Sequence, residues 1–105
     1  MIWHKIAEST LELFDKEGEI KEVHAGEKKV CVTQIKGQLH VCAHKCPHAG
    51  AKMSEGYIDA LGNIVCPLHR YKFELKKGRN VSGEGYFLKI YAVEEREDGI
   101  FVGVE

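Results

Sequence analysis

Val30-Cys-Val-Thr-Gln-Ile-Lys-Gly-Gln-Leu-His-Val-Cys-Ala43 consists of two β-rich runs on either side of the dipeptide Lys36-Gly37. Glycine takes the positive φ that a tight turn needs, so the stretch predicts a hairpin. With those two residues as the loop, Val30, Val32, Leu39, Val41 and Ala43 share one face and are candidate core, because side chains alternate along a strand. The same register sets Cys31 directly opposite Cys42 on the other face. Two neighbouring thiols in a reducing compartment are ordinarily small, half-buried residues rather than a disulfide.

Working outward, short apolar or alternating runs recur at Trp3–Ala7, Ile20–His24, Ile64–Cys66, Phe87–Val93 and Ile100–Val104, punctuated by eleven dispersed glycines. That spacing predicts an all-β protein. Ser9–Lys16 reads either as one helical turn after Ser9 or Thr10, or as a loop setting Leu11, Leu13 and Phe14 on the core. Glu94–Gly99 reads as a charged hairpin turn. The 105 residues, 44% hydrophobic and 30% charged, contain no repeat or linker and predict one domain over 1–105.

The start lacks a secretory signal pattern, and no run approaches the ~18–20 apolar residues of a membrane span, so the expectation is a soluble cytoplasmic protein without a membrane anchor. In such a protein four cysteines suit metal or redox chemistry better than a disulfide framework. The net charge of −1 is unevenly spread: residues 45–79 carry seven basic and three acidic side chains, residues 80–105 two and six. A middle excess of that size excludes the basic stripe of a nucleic-acid binder, but it biases docking toward an acidic partner.

The chemistry is concentrated in Cys46-Pro47-His48-Ala49-Gly50 and, after seventeen residues following His48, Cys66-Pro67-Leu68-His69. Thiolate and imidazole are good ligands for both iron and zinc, so two Cys/His pairs in two short loops suggest one shared metal site. Zinc pairs normally use C-x2-4-C or H-x3-5-H spacing. The single residue inside Cys46-x-His48 makes it awkward for both groups to reach one ion and easy for them to reach two. In a [2Fe–2S] cluster of mixed ligation, one iron takes two Cys and the other two His, so each loop would supply one ligand to each iron.

On these residues the chain resembles the Rieske family, whose hallmark is C-x-H followed after about 15–17 residues by C-x-x-H. The resemblance extends more weakly to Trp3, Met53–Gly56, Phe73 and Gly78. It implies a Rieske-like antiparallel β sandwich or barrel of about three small sheets, with a two-loop cluster-binding subdomain near residues 43–75. It also implies one [2Fe–2S] cluster per chain, with Cys46 and Cys66 on an inner iron and His48 and His69 on an outer one. Two ferric ions, two sulfides and two thiolates sum to zero and one added electron gives −1, which describes a single-electron carrier.

Respiratory relatives add a bracing cysteine to each loop and place hydroxyls near cluster sulfur. The matching positions here are Ala51 and Leu68, and Tyr71 and Phe73, so the expected potential lies at the low end of the Rieske range, about −150 mV. Arg70 stands where many relatives have Gly. The sequence shows no nucleotide fingerprint and no catalytic set, so the expected role is a ferredoxin rather than an enzyme. It would pass electrons from a flavin- or nicotinamide-dependent reductase to a terminal oxygenase or reductase, as a monomer. The alternatives are a small Rieske subunit of a nitrite-reductase-like complex and a zinc-stabilised interaction module.

Overall fold

A computed structural model describes all residues, Met1–Glu105. The strands are β1 (Ile2–Ala7), β2 (Ile20–Ala25), β3 (Lys28–Ile35), β4 (Gln38–Ala43), β5 (Tyr57–Ile58), β6 (Asn63–Val65), β7 (Lys72–Glu74), β8 (Ile90–Arg96) and β9 (Gly99–Val104). They form a six-stranded sheet in the order β1-β9-β8-β4-β3-β2 and a three-stranded sheet β5-β6-β7. Every pairing is antiparallel, as expected for an all-β Rieske-like fold. Where about three small sheets were expected, the β4–β8 pairing fuses the larger strands into one curled sheet.

The central hairpin has the expected register, with Val30 opposite Ala43, Cys31 opposite Cys42 and Val32 opposite Val41. Lys36 and Gly37 have φ of 52° and 77°, the doubly positive geometry whose twist matches that of the strands. Inside the curl, Val30, Val32, Val41 and Val102 pack with Phe14 and Ala25. Leu39 and Ala43 are only partly buried, and Ala43 packs against a different core.

That second core corrects the reading of the cysteine pair. The outer face of β3 and β4 is covered by the small sheet, so Cys31 and Cys42 are each 1% exposed, fully buried rather than half-buried. They pack with Met53, Ile64, Phe73, Leu75 and Leu88. The Cys42 thiol donates to Cys31, pushing Cys42 up and Cys31 down from the ordinary cysteine range. Both remain free thiols.

Two helical turns complete the chain. The first, α1, is Thr10–Leu13; Ser9 caps it by accepting from the Glu12 N–H at 3.4 Å. The second is a 3-10 turn, Met53–Glu55, which follows the first Cys/His loop. No helix is long and apolar enough to cross a membrane.

Candidate metal centre

Both Cys/His loops rise from the second core, each closed by its own backbone. In the first, the Cys46 N–H donates to Ala51 O at 2.8 Å, Gly50 N–H to Cys46 O at 2.9 Å, and Lys45 bridges to Lys52 at its base. In the second, the Cys66 N–H donates to Tyr71 O at 2.9 Å. Cys66 lies one residue past the end of β6, so it opens this loop rather than closing a strand. Pro47 and Pro67 fix φ immediately after each cysteine and limit the loops' freedom.

All four sequence-predicted residues come together, like with like. Cys46 and Cys66 are 2% and 0% exposed, and their thiols are hydrogen-bonded to each other. His48 and His69 lie farther out, with ring centroids 5.1 Å apart. Burial, with the Cys46 thiol beside it, pushes the Cys66 thiol up to about 11 against the pull of the Leu68 N–H. A bound metal is what would remove such a proton at neutral pH.

The donor set fits a two-iron cluster better than a single ion. No three His, Cys, Asp or Glu side chains gather around one point that would hold a metal ion. A closed zinc site requires four ligands on one ion, whereas a mixed-ligand cluster requires two pairs. His48 Nδ1 is buried without a hydrogen-bond partner. An orphaned polar atom of that kind costs about 1–3 kcal/mol, and a metal bond would satisfy it.

The two histidines are not equivalent. Tyr71 stacks on His48 at 4.1 Å and 24°, and Tyr86 closes over it at 5.4 Å. His69 is exposed, with its Tyr71 neighbour 6.3 Å away. His69 and Arg70 have φ of 66° and 59°, a left-handed pair that costs about 1–2 kcal/mol per residue for anything but glycine. The tight second loop imposes this conformation, and it explains why glycine suits the position of Arg70.

Sequence reasoning missed a third wall, the segment 78–88. The apolar run from Phe87 predicts a strand, but the strand begins at Ile90 and runs on to Arg96. Leu88 instead drops into the core beneath the cysteines. Asn80 organises this segment: its Oδ1 accepts from the Glu84 and Gly85 N–H groups, and its Nδ2 donates to Lys72 O at 3.0 Å. Ser82 adds a bond to Glu84, and the turn presents Tyr86 to His48. The Asn80-x-Ser-x-Glu-Gly pattern was the available signal, an Asn whose side chain caps the backbone after it.

Comparison with known proteins agrees with this geometry. The family model for the Rieske [2Fe-2S] domain matches residues 3–86. Human apoptosis-inducing factor 3 is 36% identical over 61 residues, 58% of this chain and 10% of that protein. The ferredoxin component of the naphthalene 1,2-dioxygenase system of Pseudomonas putida is 30% identical over 63 residues, 60% of each chain. Thus the matches span from a tenth to about three fifths of these relatives. A chain in the complex of reduced oxygenase and oxidized ferredoxin in carbazole 1,9a-dioxygenase superposes with a TM-score of 0.81 at 28% identity, covering 96% of this chain and 92% of that one.

Proposed function

The chain belongs to the Rieske [2Fe–2S] domain family, whose cofactor is a [2Fe–2S] cluster, and from that premise we propose that it is a one-electron carrier holding one cluster through Cys46, His48, Cys66 and His69. One observation carries the ligand assignment: the four side chains pair by type, thiol with thiol in the dry core and imidazole with imidazole at the rim. When bound, the cluster takes up and releases a single electron. The residues around it keep that exchange at nearly constant geometry. Pro47, Pro67 and the two closing backbone bonds hold the loops, while Phe73 and Met53, both 0% exposed, exclude water from the thiol side.

The chain works as a single domain whose cluster-binding part runs from about residue 43 to 75, with the wall at 78–88 added to it. It is an electron-transfer component rather than an enzyme, a reading supported by the ferredoxin components of oxygenase systems among its relatives. A flavin- or nicotinamide-dependent reductase supplies the electron and a terminal oxygenase receives it, with the chain acting as a soluble cytoplasmic monomer. Its potential lies near −150 mV, roughly the low end for mixed His/Cys ligation, because Phe73 brings no hydroxyl to the sulfur side.

Low-temperature electron paramagnetic resonance of the dithionite-reduced protein, with iron and zinc analysis of the same sample, tests this reading. The expected result is a rhombic signal averaging about g 1.9 and about two irons per chain. A silent, zinc-loaded sample that stays silent after anaerobic cluster reconstitution would reject it.

A further inference from the structure

Two of the four cysteines lie outside the metal centre, and they face each other across the central hairpin. Cys31 stands directly opposite Cys42. On β4, the Ala43 N–H donates to Lys89 O, away from β3; on β3, Gln34 O accepts from the Gly18 N–H, away from β4. Backbone groups alternate in direction along a strand, so Cys42 and Cys31 turn theirs toward each other and form a hydrogen-bonded pair. The Cα atoms of such a pair stand about 5.5 Å apart, a separation at which disulfides are common. Both side chains leave the sheet on one face, so joining them requires no movement of the backbone.

The sulfurs are already in contact, the Cys42 thiol donating to that of Cys31. Cys31 also accepts from the Ser54 N–H, in a 3-10 turn whose start has no side-chain cap. The cover over the pair is slight in structure though complete in area. Met53, Ile64 and Phe73 come from that turn and from a sheet whose strands are two or three residues long. A sheet that small opens locally at less cost than the six-stranded one beneath it, so a small oxidant reaches the sulfurs without parting β3 from β4.

We propose that Cys31 and Cys42 are a second redox site, a dithiol that hydroperoxide closes to a disulfide across the hairpin, separate from the thiols of the metal centre. In the first step the Cys31 thiolate attacks one peroxide oxygen and breaks the O–O bond, giving a sulfenic acid and hydroxide; the hydroxide takes up the proton of the thiol and leaves as water. The Cys42 sulfur then attacks the Cys31 sulfur, forming the S–S bond and breaking the S–O bond. The departing hydroxyl takes the Cys42 proton and leaves as a second water. The two sulfurs lose two electrons and one peroxide gains them, while the one-electron centre takes no part.

The test is hydrogen peroxide added to the holoprotein with its cluster oxidised, followed by unfolding, blocking of free thiols and mass spectrometry of tryptic peptides. Trypsin cuts after Lys36 and so places Cys31 and Cys42 on different peptides. The expected result is those two peptides joined in most chains, two hydrogens lighter than their sum and parted by a thiol reductant. Without peroxide, both cysteines should be recovered blocked as free thiols. Cys42→Ser should abolish the joined pair and leave a Cys31 sulfenic acid that dimedone captures; where that variant does not fold, Cys42→Ala takes its place. Cys31 and Cys42 recovered as free thiols after peroxide, oxidised to sulfinic acids without joining, or joined instead to Cys46 or Cys66, overturns the proposal. The mapping reads the pair whether or not the metal centre is loaded, so its outcome is independent of the carrier reading.

Discussion

Replacing Gly56 by alanine should damage the fold and the metal centre together. Gly56 follows the 3-10 turn with φ −85° and ψ −155°, so its backbone does not need glycine. The space does. A Cβ there would stand 1.9 Å from the Val65 carbonyl oxygen, where contacts under 3.0 Å essentially never occur, so the two backbones must part by at least 1.1 Å. Neither side yields easily. Val65 is 0% exposed, pairs with Tyr57 of β5 and Lys72 of β7, and immediately precedes Cys66.

Forced overpacking costs about 1–3 kcal/mol, and losing a ladder bond about 1 more. At about 4–8 °C per kcal/mol for a domain of this size, the melting temperature should fall by roughly 8–30 °C. Circular dichroism measures that, and iron per chain should drop as well because the displacement reaches Cys66. Gly50→Ala is the control: its Cβ meets nothing within 4 Å, and its φ of 71° leaves only conformational strain of about 1–2 kcal/mol. A Gly56→Ala protein that melts within about 3 °C of the parent, with full iron, would refute the reasoning.

Phe73→Ala empties a site 0% exposed beneath the cysteines and should cost about 3–5 kcal/mol in urea unfolding; a loss under about 1 kcal/mol would mean the core closes over the gap. Tyr71→Leu removes the ring stacked 4.1 Å from His48. Water admitted there favours the more charged reduced state, so the midpoint potential should rise while the resonance stays rhombic; an unmoved or lower potential contradicts this. Burial pushes the Asp59 carboxyl up, but bonds from Asn63 and Leu61, with Lys72 beyond, hold it below its ordinary 3.8. A depressed folded value gives stability that is present above the unfolded value and lost as pH falls through the folded one. The melting temperature should therefore decline below about pH 4. Asp59→Asn should blunt that decline, and parallel melting curves for the two proteins would count against it.

The central hairpin was legible residue by residue because a two-residue loop leaves only one register. That both its faces are buried was not legible, since Cys31, Thr33 and Cys42 are small enough to suit either a covered or a half-covered strand. The strands β5 and β7, of two and three residues, are too short to show any period and exist through their pairing with β6. The charged run Glu94–Gly99 predicts a turn over its whole length, yet β8 extends through Arg96 and only Glu97-Asp98 turns. The reason is Arg96, whose guanidinium covers Phe101 at 4.3 Å and Trp3 at 5.2 Å and so holds a charged residue in the strand.

At the site, the spacing of four residues announced the centre, but spacing treats His48 and His69 alike. What separates them is not in the motif. One shielding ring, Tyr71, follows His69 by two residues and folds back over His48. The other, Tyr86, arrives only because Leu88 anchors the far end of its segment, its N–H donating to Gly78 O at 2.9 Å. In the proposed centre the covered histidine governs how wet the cluster is, and so its potential, while the bare one governs what can touch it. Substitutions at Tyr71 and Tyr86 should then move the potential, and Leu68→Ala, at a side chain 45% exposed, should leave it in place. That division follows from two tyrosines lying on one side of a two-histidine rim.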